Sequence, residues 1–227
     1  MEIKYATICE CGKRRNNEDS WVVKAYPADK QWIGIVCDGL GGHAMGEVAS
    51  STVTEALLQF YETHRNESDY PTMIEQACIH AYQQLDQKAV GLTRTEMGTT
   101  MVMTCISDDQ LTIAHMGDSR CYLLNQEGEL LHQTTDHLTT SFGWEVLSRC
   151  FMSNNDHKDQ PEIVQFNLSP GDRILLCSDG LYKSMPPEIL KKRLADSKTP
   201  EEILDILAFL CEKNGDDNYT GILVFVE

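Results

Sequence analysis

Basic residues are scarce in this 227-residue chain: 19 Lys and Arg stand against 35 Asp and Glu, a formal net charge of −16. With no basic run and no stacked aromatic set, nothing offsets phosphate repulsion over a broad surface, which excludes a general nucleic-acid binder. Long hydrophobic runs are also missing. The longest are strand-sized, so no segment is expected to cross a bilayer. The first residues, MEIKYATICECGK, lack the charged head and apolar stretch of a secretory leader. Cysteine is present in an odd number, nine, but without paired spacing: only Cys9 and Cys11 are close neighbours. That is weak as a zinc signature. Cys37, Cys105 and Cys177 lie in apolar runs, and Cys78 and Cys211 on helix faces, as expected of buried thiols in a reducing compartment. A cytoplasmic location is expected. Repeats, low-complexity tracts and linkers are absent too, so residues 1–227 are expected to form a single domain.

What remains is an ordinary globular composition, 41% hydrophobic and 24% charged. Strands are predicted over 3–9, 20–26 and 32–37, and then in quick succession over 99–106, 110–116, 120–124 and 129–133. Turn signals such as SDDQ and NQEGE make the later ones antiparallel hairpins. Further strands are expected over 161–167, 172–178 and 219–226. Ala49, Val53, Leu57, Phe60 and Tyr61 recur at helical spacing within 46–64. A second helix opens near Pro71, and a third begins at Thr199, with Pro200 in its first turn and Glu202 closing a capping box. Residues 138–160 read as polar and irregular. Strands outnumber helices, and helices come in pairs between strand blocks, which argues an α+β fold of antiparallel sheets covered by helices.

Two apolar runs, IGIVCDG and ILLCSDG, end on an Asp-Gly pair and place Asp38 and Asp179 at strand ends. Asp118 follows LTIAHMG, and Asp216-Asp217-Asn218 precedes the terminal run GILVFV. One Asp-Gly pair is ordinarily a turn. Several converging carboxylates are another matter, because two of them about 4 Å apart repel by roughly 4 kcal/mol at an effective dielectric near 20. They must protonate, separate or bind a cation. Oxygen-only ligands point to Mg²⁺ or Mn²⁺ over zinc or copper. The loop GKRRNNED (12–19) adds arginines suited to gripping a tetrahedral oxyanion, and Glu18 as another ligand oxygen. Arg120 reads either as a second such arginine or as half of a structural ion pair.

RRNNEDS (14–20), DGLGGHAMGEVAS (38–50), MGTTMV (97–102), GDSR (117–120), TDH (135–137), LLCSDGL (175–181) and DDNYTGILV (216–224) occur in the order of the protein phosphatase 2C-like family. These are the metal-dependent Ser/Thr phosphatases, and the chain most resembles their compact bacterial members. The resemblance implies a four-layer α/β/β/α sandwich of two antiparallel sheets flanked by helices. It implies two metals, Mn²⁺ or Mg²⁺, bridged by Asp38. Glu18 and the Gly39 carbonyl would complete one site, and Asp179 and Asp217 the other. Arg14 matches the phosphate-gripping arginine, with Arg15 as the fallback. Asp118 matches the position of a third, weaker metal.

The reaction so implied is hydrolysis of phosphoserine and phosphothreonine by direct attack of a hydroxide bridging the two metals. No Cys-x5-Arg loop of the cysteine phosphatases is present. The expected partners are phosphorylated proteins, substrates of a Ser/Thr kinase, acted on by a monomer; neither nucleic acid nor membrane is expected. Two readings compete with this one: a binding module on the same fold that has lost turnover, and a phosphatase for small molecules. The chain departs from the family pattern in two places. Leu40 stands where many eukaryotic relatives carry a proton-donating histidine, with His43 further along expected to be structural, or to support the site from behind its ligands, and not to be the general acid. A flap beside the cleft is shortened to about 138–160.

Overall fold

The structure, a computed structural model, describes residues 2–40, 45–93 and 95–227. The first strands are β1 (Ile3–Glu10), β2 (Asp19–Tyr26) and β3 (Gln31–Asp38). Helices α1 (Gly46–His64) and α2 (Tyr70–Gly91) follow, then β4 (Gly98–Thr99), β5 (Met101–Ser107), β6 (Gln110–Met116), β7 (Arg120–Leu124) and β8 (Leu130–Gln133). Next are β9 (Leu138–Ser141), β10 (Trp144–Leu147), β11 (Phe151–Met152), β12 (Glu162–Asn167) and β13 (Arg173–Cys177). The chain closes with α3 (Asp179–Tyr182), α4 (Pro187–Leu194), α5 (Pro200–Asn214) and β14 (Tyr219–Val226).

Two five-stranded sheets dominate, ordered β1-β14-β13-β7-β8 and β12-β6-β5-β3-β2, and every neighbouring pair is antiparallel. The period-two alternation of strand side chains sorts their apolar residues into three layers. Ile33, Ile35 and Cys37 face α1 and α2 and bury Val53, Leu57, Ile74 and Leu85. Trp32 and Val36, on the opposite face of the same strand, meet Ile174, Leu176, Ile222 and Val224 of the other sheet. Leu175 and Leu223 turn outward onto Ile203, Leu207 and Cys211 of α5. Helix, sheet, sheet and helix therefore stack as the resemblance implies. Each large side chain sealed in these layers contributes about 1.5–3 kcal/mol.

The capping box of α5 forms as expected: Thr199 Oγ1 accepts from the Glu202 amide at 3.3 Å, and Glu202 Oε2 from the Thr199 amide at 3.0 Å. All nine cysteines are free, and Cys37, Cys78, Cys105, Cys177 and Cys211 are buried. No helix among the described residues is long and apolar enough to cross a membrane.

The expectation of an irregular 138–160 is corrected. β9 and β10 form a hairpin, and Phe142 (φ 50) and Gly143 (φ 84) make the left-handed turn between them. Its strand pattern is faint because it packs on no core; Phe142 is fully exposed and Trp144 mostly so. Helices α3 and α4 were also not anticipated. Each is too short for a helical period to stand out.

Candidate active site

Arg14, Glu18, Asp38, Gly39, Leu40, Thr100, Asp118, Leu147, Asp179, Asp217 and Asn218 line one cavity of about 160 Å³. The seven residues singled out as catalytic or metal-binding in the sequence are thus brought together. His43 lies outside the described residues. A larger hollow of about 370 Å³ near Arg65 and Asp108 gathers no comparable cluster.

The cavity sits where the ends of both sheets meet. Asp38 is the last residue of β3, and its backbone is held from the MGTT segment. Thr100 Oγ1 accepts from the Asp38 amide at 3.0 Å, while the Thr99 hydroxyl and the Thr100 amide both donate to the Asp38 carbonyl, at 2.8 and 2.9 Å. Gly39 donates its amide to the Glu18 carbonyl at 3.0 Å. A Cβ on Gly39 would lie 2.3 Å from the Gly46 carbonyl oxygen and 2.7 Å from that of Glu18, so only glycine lets these three segments close. Gly180 does the same for Asp179, since a Cβ there would come within 1.9 Å of the Asn218 carbonyl oxygen. Asp118 sits in the turn where the chain crosses from β6 in one sheet to β7 in the other.

Asn218 ties the arginine loop to the terminal strand. Its Oδ1 accepts from the Glu18 amide at 2.9 Å, and its Nδ2 donates to the carbonyls of Cys11 at 2.8 Å and Asn16 at 2.9 Å. An alanine here strands those three backbone groups. Asn218→Ala is expected to lower stability by about 2–4 kcal/mol in urea unfolding. A loss below about 1 kcal/mol, the scale of a single net hydrogen bond, would remove this bracing role.

Asp19 is a carboxylate that sequence reasoning passed over, although it follows Glu18 directly and pairs with Asp38 across β2 and β3. It is buried against Ser178 and Thr220, whose hydroxyls both donate to its Oδ2 at 2.7 Å. Its Oδ1 is buried with no partner. Burial, with Asp179 and Asp217 nearby, pushes the Asp19 carboxyl up to about 6. Burial first, then the charges of Asp19, Asp179 and Asp118, raises Asp38 well above the carboxylate range. Asp118 is raised by burial and Asp179, and Glu18 by burial and Glu47. These carboxyls carry an electrostatic penalty that nearby positive charge would relieve.

Two cations contact the cluster. Arg14 donates from Nη2 to Asp217 Oδ2 at 2.7 Å and from Nε to the Asp216 carbonyl at 3.1 Å. Lys183 Nζ reaches Asp179 Oδ2 at 2.6 Å and Asp118 Oδ2 at 3.2 Å. Arg120 is spent elsewhere. It grips Asp136 through two 2.7 Å bonds and stacks 3.7 Å over the Tyr182 ring, the structural ion pair of the two readings.

His115, His137 and Glu162 form another grouping whose donor atoms lie within 4.8 Å of one another. The Gly117 amide donates to His137 Nδ1 at 3.2 Å, which puts the proton of the neutral ring on Nε2, facing Glu162 at 3.4 Å. His137 thus has no lone pair to offer there. The two stacked rings brace the TDH turn against GDSR.

The chain is similar in sequence and in fold to known proteins. The serine/threonine phosphatase stp of Listeria innocua is 31% identical over 241 residues, an alignment that takes in 93% of this chain and 90% of that protein. The crystal structure of the Mycobacterium tuberculosis serine/threonine phosphatase PstP/Ppp superposes with a TM-score of 0.83 at 29% identity, covering 99% of both chains. A PstP catalytic domain in complex with two manganese ions superposes at 0.80, also with 29% identity and 99% of both chains. The family described as Protein phosphatase 2C matches residues 12–218, nearly the whole length. With that match the chain belongs to the protein phosphatase 2C family.

Proposed function

We propose that this protein is a metal-dependent protein serine/threonine phosphatase, working with two divalent ions, manganese or magnesium. One observation carries the reading: Glu18, Asp38, Asp118, Asp179 and Asp217, from five separate chain segments, line a single small cavity. The donors suit hard cations, since every one is an oxygen. The unpartnered Asp19 Oδ1 and the crowded, raised Asp38 carboxyl are what a site built for positive charge leaves behind without it. Asp38 would be shared between the ions, with Glu18 and the Gly39 carbonyl on one side and Asp179 and Asp217 on the other. When bound, such ions supply Lewis acidity toward water and neutralise charge on the phosphate.

The protein's own groups do the rest. Arg14 is half exposed at the cavity, and its guanidinium, held here by Asp217 and the Asp216 carbonyl, would turn its planar fork of donors to phosphoryl oxygens when substrate binds. Asp19 packs against Asp38 and holds Ser178, the residue before Asp179, in place. Leu40 gives that wall of the cavity no titratable group, so it supplies no proton to the departing alkoxide. Residues 1–227 act as one domain, with the hairpin within 138–160 as its short flap. Reduced cysteines and the acidic surface suit a cytoplasmic monomer that reverses the work of a Ser/Thr kinase.

A filled ligand set disfavours a binding module that has lost turnover. Kinetics in Mn²⁺ on a phosphothreonine peptide and on a small phosphoester separate the remaining readings. The peptide is expected to show the higher kcat/KM. Preference for the small ester by tenfold or more would replace the protein substrate with a metabolite.

A further inference from the structure

Asp118, matched in the sequence to a third and weaker metal position, already has a cationic partner. Lys183 Nζ sits 3.2 Å from Asp118 Oδ2 and 2.6 Å from Asp179 Oδ2. We propose that the Lys183 ammonium takes the place of a third divalent ion between Asp118 and Asp179, so that the protein holds two metals and not three. This rests on the two-metal reading above.

The contact is built into the fold. Lys183 follows Asp179 by one helical turn, the spacing at which an acid and a base pair on one helix face. That turn is short and held at a fixed height. Tyr182 Oη donates to the Asp118 carbonyl at 3.1 Å, and the Lys183 amide donates to the Asp179 carbonyl at 2.9 Å. Tyr182 is buried beneath the Arg120 guanidinium, which is itself clamped by Asp136. The lysine stem therefore starts from a fixed point beside Asp118, and its ammonium bridges the two carboxylates. A divalent ion entering there would have to displace a monovalent one that is covalently supplied and always present. Lys183 makes the charge of this corner independent of metal concentration.

Counting bound Mn²⁺ on the full chain, by titration against the electron paramagnetic signal of the free ion, tests this. Anomalous diffraction from soaked crystals locates the ions. The wild type is expected to bind two ions through the millimolar range. Lys183→Ala should bind a third at Asp118 at least tenfold more tightly than the wild type does, and Lys183→Gln should behave alike. Adding Asp118→Asn to Lys183→Ala should abolish that third ion. A third ion on Asp118 in the wild type, with Lys183 displaced, overturns the lysine's role while leaving two-metal hydrolysis intact. Lysine variants that stay at two ions overturn it equally. A wild type that binds no Mn²⁺ overturns both this inference and the reading beneath it.

Discussion

Asp38→Asn is expected to lower turnover of a phosphothreonine peptide in saturating Mn²⁺ by roughly 10³-fold or more, the scale lost with one electrostatic group aimed at reacting charge. It should do so without unfolding the protein. The backbone of Asp38 is held through Thr99 and Thr100, and neither contact uses the carboxyl. An amide of the same shape keeps the strand end and removes the proposed shared ligand. In the metal-free protein it also removes a charge that burial and three neighbouring carboxylates oppose. The variant is therefore expected to melt at a higher temperature than the wild type in chelator at pH 7, although it is inactive. Retention of a tenth of the turnover would contradict Asp38 as the bridge. A lower melting point would contradict the electrostatic account of why the cluster needs cations.

The second large effect is on stability as a function of pH. Asp19 is pushed up to about 6 by burial in the native chain, against a reference of 3.8. Between those two values the native state holds a proton that the unfolded chain has released. The contribution of Asp19 to the stability of the chelated protein is thus fully present at the acid end and is lost as pH rises from about 4 to about 6. A shift of that size corresponds to about 3 kcal/mol. The raised carboxyls of Asp38 and Asp118 add to the loss in the same direction. Saturating Mn²⁺ should reverse the slope, because ions bind the deprotonated cluster and stabilise only the native state. Urea midpoints across this pH range, with chelator and with Mn²⁺, read both slopes. A flat profile in chelator would mean the carboxylates are not strained.

Much of this was legible in the chain because strands buried on both faces announce themselves as continuous apolar runs. β3 and β13 did so, and the Asp-Gly pairs at their ends pointed to the site. The strands 110–116, 120–124 and 219–226 and the helix 46–64 coincide with β6, β7, β14 and α1. The capping box of α5 is a purely local signal and formed as read. Asp19 escaped notice for the opposite reason. Its partners, Ser178 and Thr220, lie about 160 and 200 positions away, and no local pattern carries such a contact. Lys183 has a local signal, its spacing from Asp179, but reading it requires knowing that Asp118 arrives at the same corner. The hairpin of β9 and β10 lacks a buried face, so its two strands left no alternation to find.

Because the proposed acidic ligands are divided between both sheets and the crossover that links them, neither half of the sandwich owns a usable set. Glu18 and Asp38 come with one, Asp179 and Asp217 with the other, and Asp118 arrives only when the two have docked. On that ligand assignment a nascent or partly denatured copy is expected to be unable to cleave phosphate before it is finished: hydrolysis would be withheld until the last interface closes, and competence itself would certify a completed molecule.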